Sequence, residues 1–242
     1  MLGSAFRLLY RVYASIAALL VIFVLFCPLV IIAPTLALRR EISRLGIRTT
    51  LAVMFVPFRV RGLQHLPEQP CVVIANHSSY FDGLILTAAL PRRFTFLVQD
   101  GAAAWPCIGL AIKRMGVHFV NRSSVRDSAL QMRRLIRGLR QGLSLAIFPE
   151  GTFVAEPGLL KFSKGAFVVA AKAGVPVVPA VIHGTRRLYG DGDRLMRWSS
   201  VTVEFTPPLR PADDSIDSAN ALSEQARAVV LAHGGEPDRA QR

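Results

Sequence analysis

His77 and Asp82, in Asn76-His77-Ser78-Ser79-Tyr80-Phe81-Asp82, are the residue types from which a general base is built. A neutral imidazole takes up a proton near pH 7. A carboxylate bonded to its other nitrogen fixes the tautomer and stabilises the imidazolium. On one continuous helix, residues five apart point roughly 140° away from each other. The pair therefore meets only if the chain turns at Ser78-Ser79 before a helix begins. Taken alone, the segment reads equally as a loop histidine followed by an acidic residue at a helix N-terminus.

Three further segments carry polar groups straight after apolar runs. Gly116-Val117-His118-Phe119-Val120-Asn121-Arg122 ends on an arginine whose planar fork can clamp a phosphate. A solvated arginine is the plainer explanation of that residue. Phe148-Pro149-Glu150-Gly151-Thr152 follows Leu143–Phe148. Gly151 permits a tight turn and close approach of a ligand. Thr152 and nearby amides can bond an anionic headgroup, and Glu150 can orient a cation or a hydroxyl. A strand-to-loop turn with a helix cap explains the same residues. Lys161 and Lys164 flank Phe162 and can neutralise a phosphate, although surface lysines are common. Val175-Pro176-Val177-Val178-Pro179-Ala180 reads as structural, its prolines suiting a strand entrance or an edge.

Together, in this order, the four segments resemble the signatures of the glycerolipid acyltransferases, the family that includes the 1-acyl-glycerol-3-phosphate acyltransferases. Those signatures are a His-x4-Asp block, a Gly-x-x-Phe-x-x-Arg block, a Phe-Pro-Glu-Gly-Thr block and a Val-Pro-x-x-Pro block. The resemblance covers about Pro57 to Thr185. It implies His77 as base and Asp82 as its partner. It implies an acceptor site containing Arg122, Glu150, Gly151 and Thr152, with Lys161 and Lys164 beside it. Ser78, Asn76 and Pro149 would shape the site or support an oxyanion. The implied reaction moves a fatty acyl group from acyl-CoA or acyl carrier protein to a lysophospholipid-type hydroxyl, 1-acyl-glycerol-3-phosphate foremost. A different acceptor such as a lyso-ornithine lipid is the alternative. No cofactor and no metal is implied. Two positions depart from the pattern. Phe153 stands where the family often has arginine, and Gln99-Asp100 where it often has lysine. Both weaken a phosphate-bearing acceptor, and Lys161, Lys164 or Arg186 would have to compensate.

These loops need elements to hold them. Continuous apolar runs at Cys71–Ala75 and Leu143–Phe148 read as buried strands, as do 94–98, 117–120, 175–182 and 200–205, with a shorter strand in 56–62. Helices are expected over 81–90, 108–115, 124–141, 165–173 and 218–232, and a loose tail after Gly234. Strands alternating with helices predict a single α/β domain whose central sheet is mixed or largely parallel. A first reactive loop at the carboxyl end of a strand is where such folds present their chemistry.

Ahead of that domain, Val12 to Leu38 carries no charge, with Arg7 and Arg11 before it and Arg39, Arg40 and Arg44 after it. The run is long enough to span a bilayer, which takes about 20 residues. Pro28 and Pro34 interrupt it, so a helix over about 8–26 and a second apolar piece to Leu38 are expected. It would span once or form a hairpin. The run is too long for a cleaved signal peptide. The divisions expected are an anchor at 1–50, a catalytic domain at 51–212 and a C-terminal helix and tail at 213–242. Three scattered cysteines form neither a disulfide framework nor a metal-ligand spacing.

A net charge of +13 fits an anionic membrane surface. It would equally suit nucleic acid, but no nucleic-acid motif accompanies it. The expected partners are membrane lipids and the acyl donor. The expected place is a bacterial inner membrane, with the catalytic domain on the cytoplasmic face. A membrane-bound hydrolase could use the same His-Asp pair on water, although the chain has neither a Gly-x-Ser-x-Gly elbow nor a His-Glu-x-x-His motif. A non-enzymatic basic binding module would rest on charge alone.

Overall fold

A computed structural model describes residues 2–99, 101, 104–105, 107–120 and 125–240. The first helix, α1 (Leu2–Leu19), runs without a break into a π-helical stretch over Leu20–Phe26 and then α2 (Cys27–Ile32). Pro28 explains the widened stretch. It brings no amide donor, and its ring crowds the carbonyl one turn back. The chain responds with wider i→i+5 turns, Cys27 N–H reaching the Ile22 carbonyl, rather than with a break. The break comes at Ala33, which leaves helical geometry just before Pro34 (ψ 136°). Thr35 then caps α3 (Leu36–Val53), its hydroxyl accepting from the Leu38 amide.

This second helix departs from the expected apolar continuation to Leu38. It carries four arginines and folds back along the first helix. Tyr10 and Tyr13, midway along α1, donate their hydroxyls to the Met54 and Val53 carbonyls at the end of α3. The result is a helical hairpin. Its first arm, Gly3–Ile32, is long and apolar enough to cross a membrane, and most of it is not covered by protein.

Among the described residues, the α/β domain after the hairpin holds seven strands: β1 (Phe58–Arg61), β2 (Val72–Ala75), β3 (Phe94–Gln99), β4 (His118–Val120), β5 (Ser144–Ile147), β6 (Val177–His183) and β7 (Val201–Phe205). Their order is β1-β7-β6-β2-β5-β3-β4. All neighbours are parallel except β6 and β7. The helices are α4 (Asp82–Ala89), α5 (Ile108–Arg114), α6 (Val125–Arg140), α7 (Gly165–Ala173), α8 (Thr185–Tyr189) and α9 (Ile216–Gly234). One apolar cluster joins one face of the sheet to α4 and the N-terminal hairpin, and a second fills the face under α6, α7 and α9. The central strands β2 and β5 are buried throughout, as their continuous apolar runs require.

Pro179 is not at a sheet edge, as the sequence suggests. It lies in β6, between β2 and β7, opposite Ile74. Its carbonyl accepts from the Thr206 amide, so its missing N–H falls on the β7 side. Pairing with β7 begins only at Ala180, so no ladder bond is lost.

The tail is not loose. Glu236 accepts two hydrogen bonds from Arg186, Asp238 pairs with Arg227, and Asp238 bridges to Leu159. Basic side chains on α8 and α9 find these carboxylates.

Candidate active site

β2 ends at Ala75, and the chain leaves it at the carboxyl edge of the sheet. Asn76 fixes that exit. Its side-chain amide donates to the Ile182 carbonyl at 3.0 Å and accepts from the Ile182 amide at 2.7 Å. This pair of hydrogen bonds to β6 shapes the loop that carries His77.

The turn that His77 and Asp82 require is present, followed by α4 with Asp82 as its first residue. His77 Nδ1 and Asp82 Oδ2 lie 2.9 Å apart. The same oxygen accepts from the Ser78 amide at 2.6 Å and the Ser79 amide at 2.8 Å. Asp82 is thus a loop-closing acceptor and a partner of the imidazole at once. Its side chain is fully buried, while 19% of His77's is exposed. Its other oxygen, Oδ1, is buried with no partner among the described residues. Since Ser78 spends its amide on Asp82 and sets its hydroxyl 3.3 Å from the Thr185 hydroxyl, it supports the loop. Ser79 donates its hydroxyl to the Tyr189 carbonyl. The short helix α8 therefore braces the loop from below. Nothing in its five residues distinguishes it from a turn, so the sequence alone does not reveal it.

Rings enclose the imidazole. Phe148 stacks on it, centroids 4.4 Å apart and planes 19° apart, and Phe153 tilts against it at 4.7 Å. Tyr80 meets Phe153 edge-on at 4.8 Å. Stacking on Phe148 leaves the ring little freedom to swing away from Asp82. The aromatic content of 148–153 signals a packing role that motif matching alone misses.

The second loop follows β5. Pro149 is buried and its carbonyl accepts from the Ser163 amide. Glu150 turns inward. Oε1 accepts from the His77 amide at 2.6 Å and Oε2 from the Leu160 amide at 2.8 Å. Burial pushes its carboxyl up to about 7, helped by the charges of Glu236 and Asp82, while the two amides pull it back. Gly151 takes a left-handed conformation (φ 73°) that a side chain would strain. Thr152 is exposed, and so are Lys161 and Lys164. Their neighbours Ser163 and Gly165 line the cavity below. Arg186 is engaged within the chain. Its guanidinium is held by both Glu236 oxygens and donates to the Val154 and Ala155 carbonyls. Arg122 and Asp100 lie outside the described residues.

A cavity of about 860 Å³ opens beside His77 and Phe153. It passes between α4, β3 and α5 and ends against Ile22, Phe26, Cys27 and Val30 of the first arm and Ile47 of α3. Its size is that of a small-molecule pocket, and its walls are mostly apolar. Cys71, buried and with its thiol pushed up to about 11 by burial, takes no part in it.

A family described as Acyltransferase matches residues 57–183, the stretch from β1 through the end of β6. The chain belongs to this acyltransferase family. It is 31% identical over 195 residues to a chloroplastic 1-acyl-sn-glycerol-3-phosphate acyltransferase of Brassica napus, covering 78% of this chain and 55% of that protein. It is 32% identical over 174 residues to the human 1-acyl-sn-glycerol-3-phosphate acyltransferase alpha, covering 71% and 62%. The chain thus spans somewhat over half the length of these curated relatives. To a lyso-ornithine lipid O-acyltransferase of Pseudomonas aeruginosa it is 33% identical over 211 residues, covering 81% of this chain and 79% of that protein. The crystal structure of the 1-acyl-sn-glycerophosphate acyltransferase of Thermotoga maritima superposes with a TM-score of 0.73 over 94% of both chains, at 23% identity. That likeness extends the shared fold through the helical hairpin.

Proposed function

We propose that this chain is an O-acyltransferase that moves a fatty acyl group from acyl-CoA or acyl carrier protein to a lysophospholipid-type hydroxyl, 1-acyl-glycerol-3-phosphate foremost. The observation that carries the reading is a His77–Asp82 pair opening on an apolar cavity that ends at the membrane-type hairpin. The cavity takes the acyl chain, which sets the thioester carbonyl at its mouth. With Nδ1–H donated to Asp82, His77 Nε2 is the basic nitrogen. It removes the acceptor hydroxyl's proton as that oxygen attacks the carbonyl. The tetrahedral intermediate collapses, the C–S bond breaks, and the thiolate takes the proton from the imidazolium. The new ester bond replaces the thioester, and His77 ends neutral. Holding both substrates at one mouth supplies much of the rate.

A second acceptor class has specific support. Phe153 occupies the position after Glu-Gly-Thr, and Arg186 is committed to Glu236. That wall also accommodates a zwitterionic lyso-lipid such as a lyso-ornithine lipid. On this reading the chain sits in a bacterial inner membrane. Its first arm lies in the lipid and its catalytic domain on the cytoplasmic face, where anionic headgroups attract its +13 charge.

The test is incubation of purified protein with labelled palmitoyl thioester and a panel of lyso-lipids, followed by mass spectrometry. Acyl transfer to 1-acyl-glycerol-3-phosphate is expected. Transfer to lyso-ornithine lipid alone would move the assignment to the second class. Release of free fatty acid with no acylated lipid would make the protein a hydrolase.

A further inference from the structure

Glu150 belongs to a segment that the sequence assigns to the acceptor, yet both its oxygens are spent within the protein. We infer that Glu150 is a positioning residue: its carboxylate clamps the loop bearing the base to the loop covering the cavity mouth, and it does not bind the acceptor. The inference rests on the acyltransferase reading above.

The geometry is that of a bridge. Oε1 takes the amide of His77 itself, the backbone from which the imidazole projects, at 2.6 Å. Oε2 takes the amide of Leu160, ten residues further along the loop that leaves Glu150, at 2.8 Å. Leu160 is anchored in turn, because its carbonyl accepts from Arg227, which pairs with Asp238. Beyond the point where the ladder between neighbouring strands β2 and β5 ends, the loops that leave them are thereby fixed to one side chain.

An ionised carboxylate serves both amides best. A protonated carboxyl carries an O–H on one oxygen, which weakens that oxygen as acceptor for the buried amide facing it. A carboxamide fares worse, since its NH₂ end cannot accept. The charged groups that act on Glu150 are Glu236 on the C-terminal segment and Asp82 on α4, both acidic. Glu236 is largely answered by Arg186. Burial and these carboxylates bring the clamp's protonation to about 7, so opening of the bridge falls within an accessible pH range.

The experiment has two parts. In the unsubstituted protein, ¹⁵N-labelled in detergent micelles, the amide resonances of His77 and Leu160 are followed between about pH 5.5 and 8.5. Both should move together with a common midpoint near 7. A titration of the His77 ring alone would shift its own amide and leave Leu160 flat, and that result would overturn the proposal. In Glu150→Gln, kcat should fall about tenfold or more while KM for the acceptor stays within about threefold. A rise in acceptor KM with kcat unchanged would show Glu150 to be a substrate ligand and sink the clamp. The amide titration needs no variant, so it decides the matter even if Glu150→Gln does not fold. It also needs no substrate, so absence of acyl transfer would remove the functional reading and leave the clamp to stand or fall separately.

Discussion

Above pH 7 the Glu150 carboxylate is charged in a buried setting, and that charge works against folding. Its ordinary value is 4.5 and its folded value about 7. A carboxyl raised on folding binds its proton more tightly in the native state. Its favourable contribution is therefore present below 4.5 and is lost as pH rises from 4.5 to 7. The displacement corresponds to about 3 kcal/mol. We predict that the wild-type protein loses stability of this order across that window, measured by denaturant unfolding in detergent. Glu150→Gln should flatten the slope. A wild-type profile that rises smoothly from pH 4.5 to 7.5 would contradict it. Residue identities let the sequence present His77 and Asp82 as a pair, because their chemistry depends on type and on one turn. The partners of Glu150, Asn76 and Arg186 were not legible. Each bonds backbone groups or a carboxylate brought in from distant segments, and backbone amides leave no mark in a sequence.

The elements explain why the N-terminal hairpin packs as part of the α/β domain rather than as an appendage. Arginines after the apolar run look like topology signals, yet α3 uses them on helix ends. Arg40 donates to the Met115 and Arg92 carbonyls, Arg39 to Arg114, and Arg48 to Ala88 while lying over the Phe58 ring. Carbonyls at the ends of α4 and α5 are orphan acceptors carrying partial negative charge, so cations are favoured there. The two arms of the hairpin touch at Gly46, where an added Cβ would stand 2.5 Å from the Phe26 ring. That ring lines the inner end of the cavity. We predict that Gly46→Ala costs about 1–3 kcal/mol by overpacking, seen as a lower thermal midpoint. The displaced ring should also shift donor preference toward shorter acyl chains. Unchanged stability and an unchanged chain-length profile would show that the inner wall yields freely. Strand and helix positions in 58–205 were legible because buried parallel strands write continuous apolar runs. The second arm was legible only as the hairpin alternative for 1–50, and the use of Arg39, Arg40 and Arg48 on backbone carbonyls was not, since those acceptors come from distant segments.

At the scale of the whole molecule, one apolar path joins the long apolar first arm, the cavity behind α4, and the ring-lined mouth at His77. A mixed sheet with reactive loops at the carboxyl ends of β2 and β5 was foreseeable from alternation alone. The cavity's reach to Ile22 and Val30 was not, because it depends on the hairpin folding back over α4 and α5. The most direct test of the account is steady-state acyl transfer by wild type and His77→Ala in the same micelles, each checked for fold by circular dichroism. The account predicts a folded variant whose turnover has dropped by at least about a thousandfold. A folded His77→Ala protein that still acylates the lyso-lipid at near wild-type rate would contradict it.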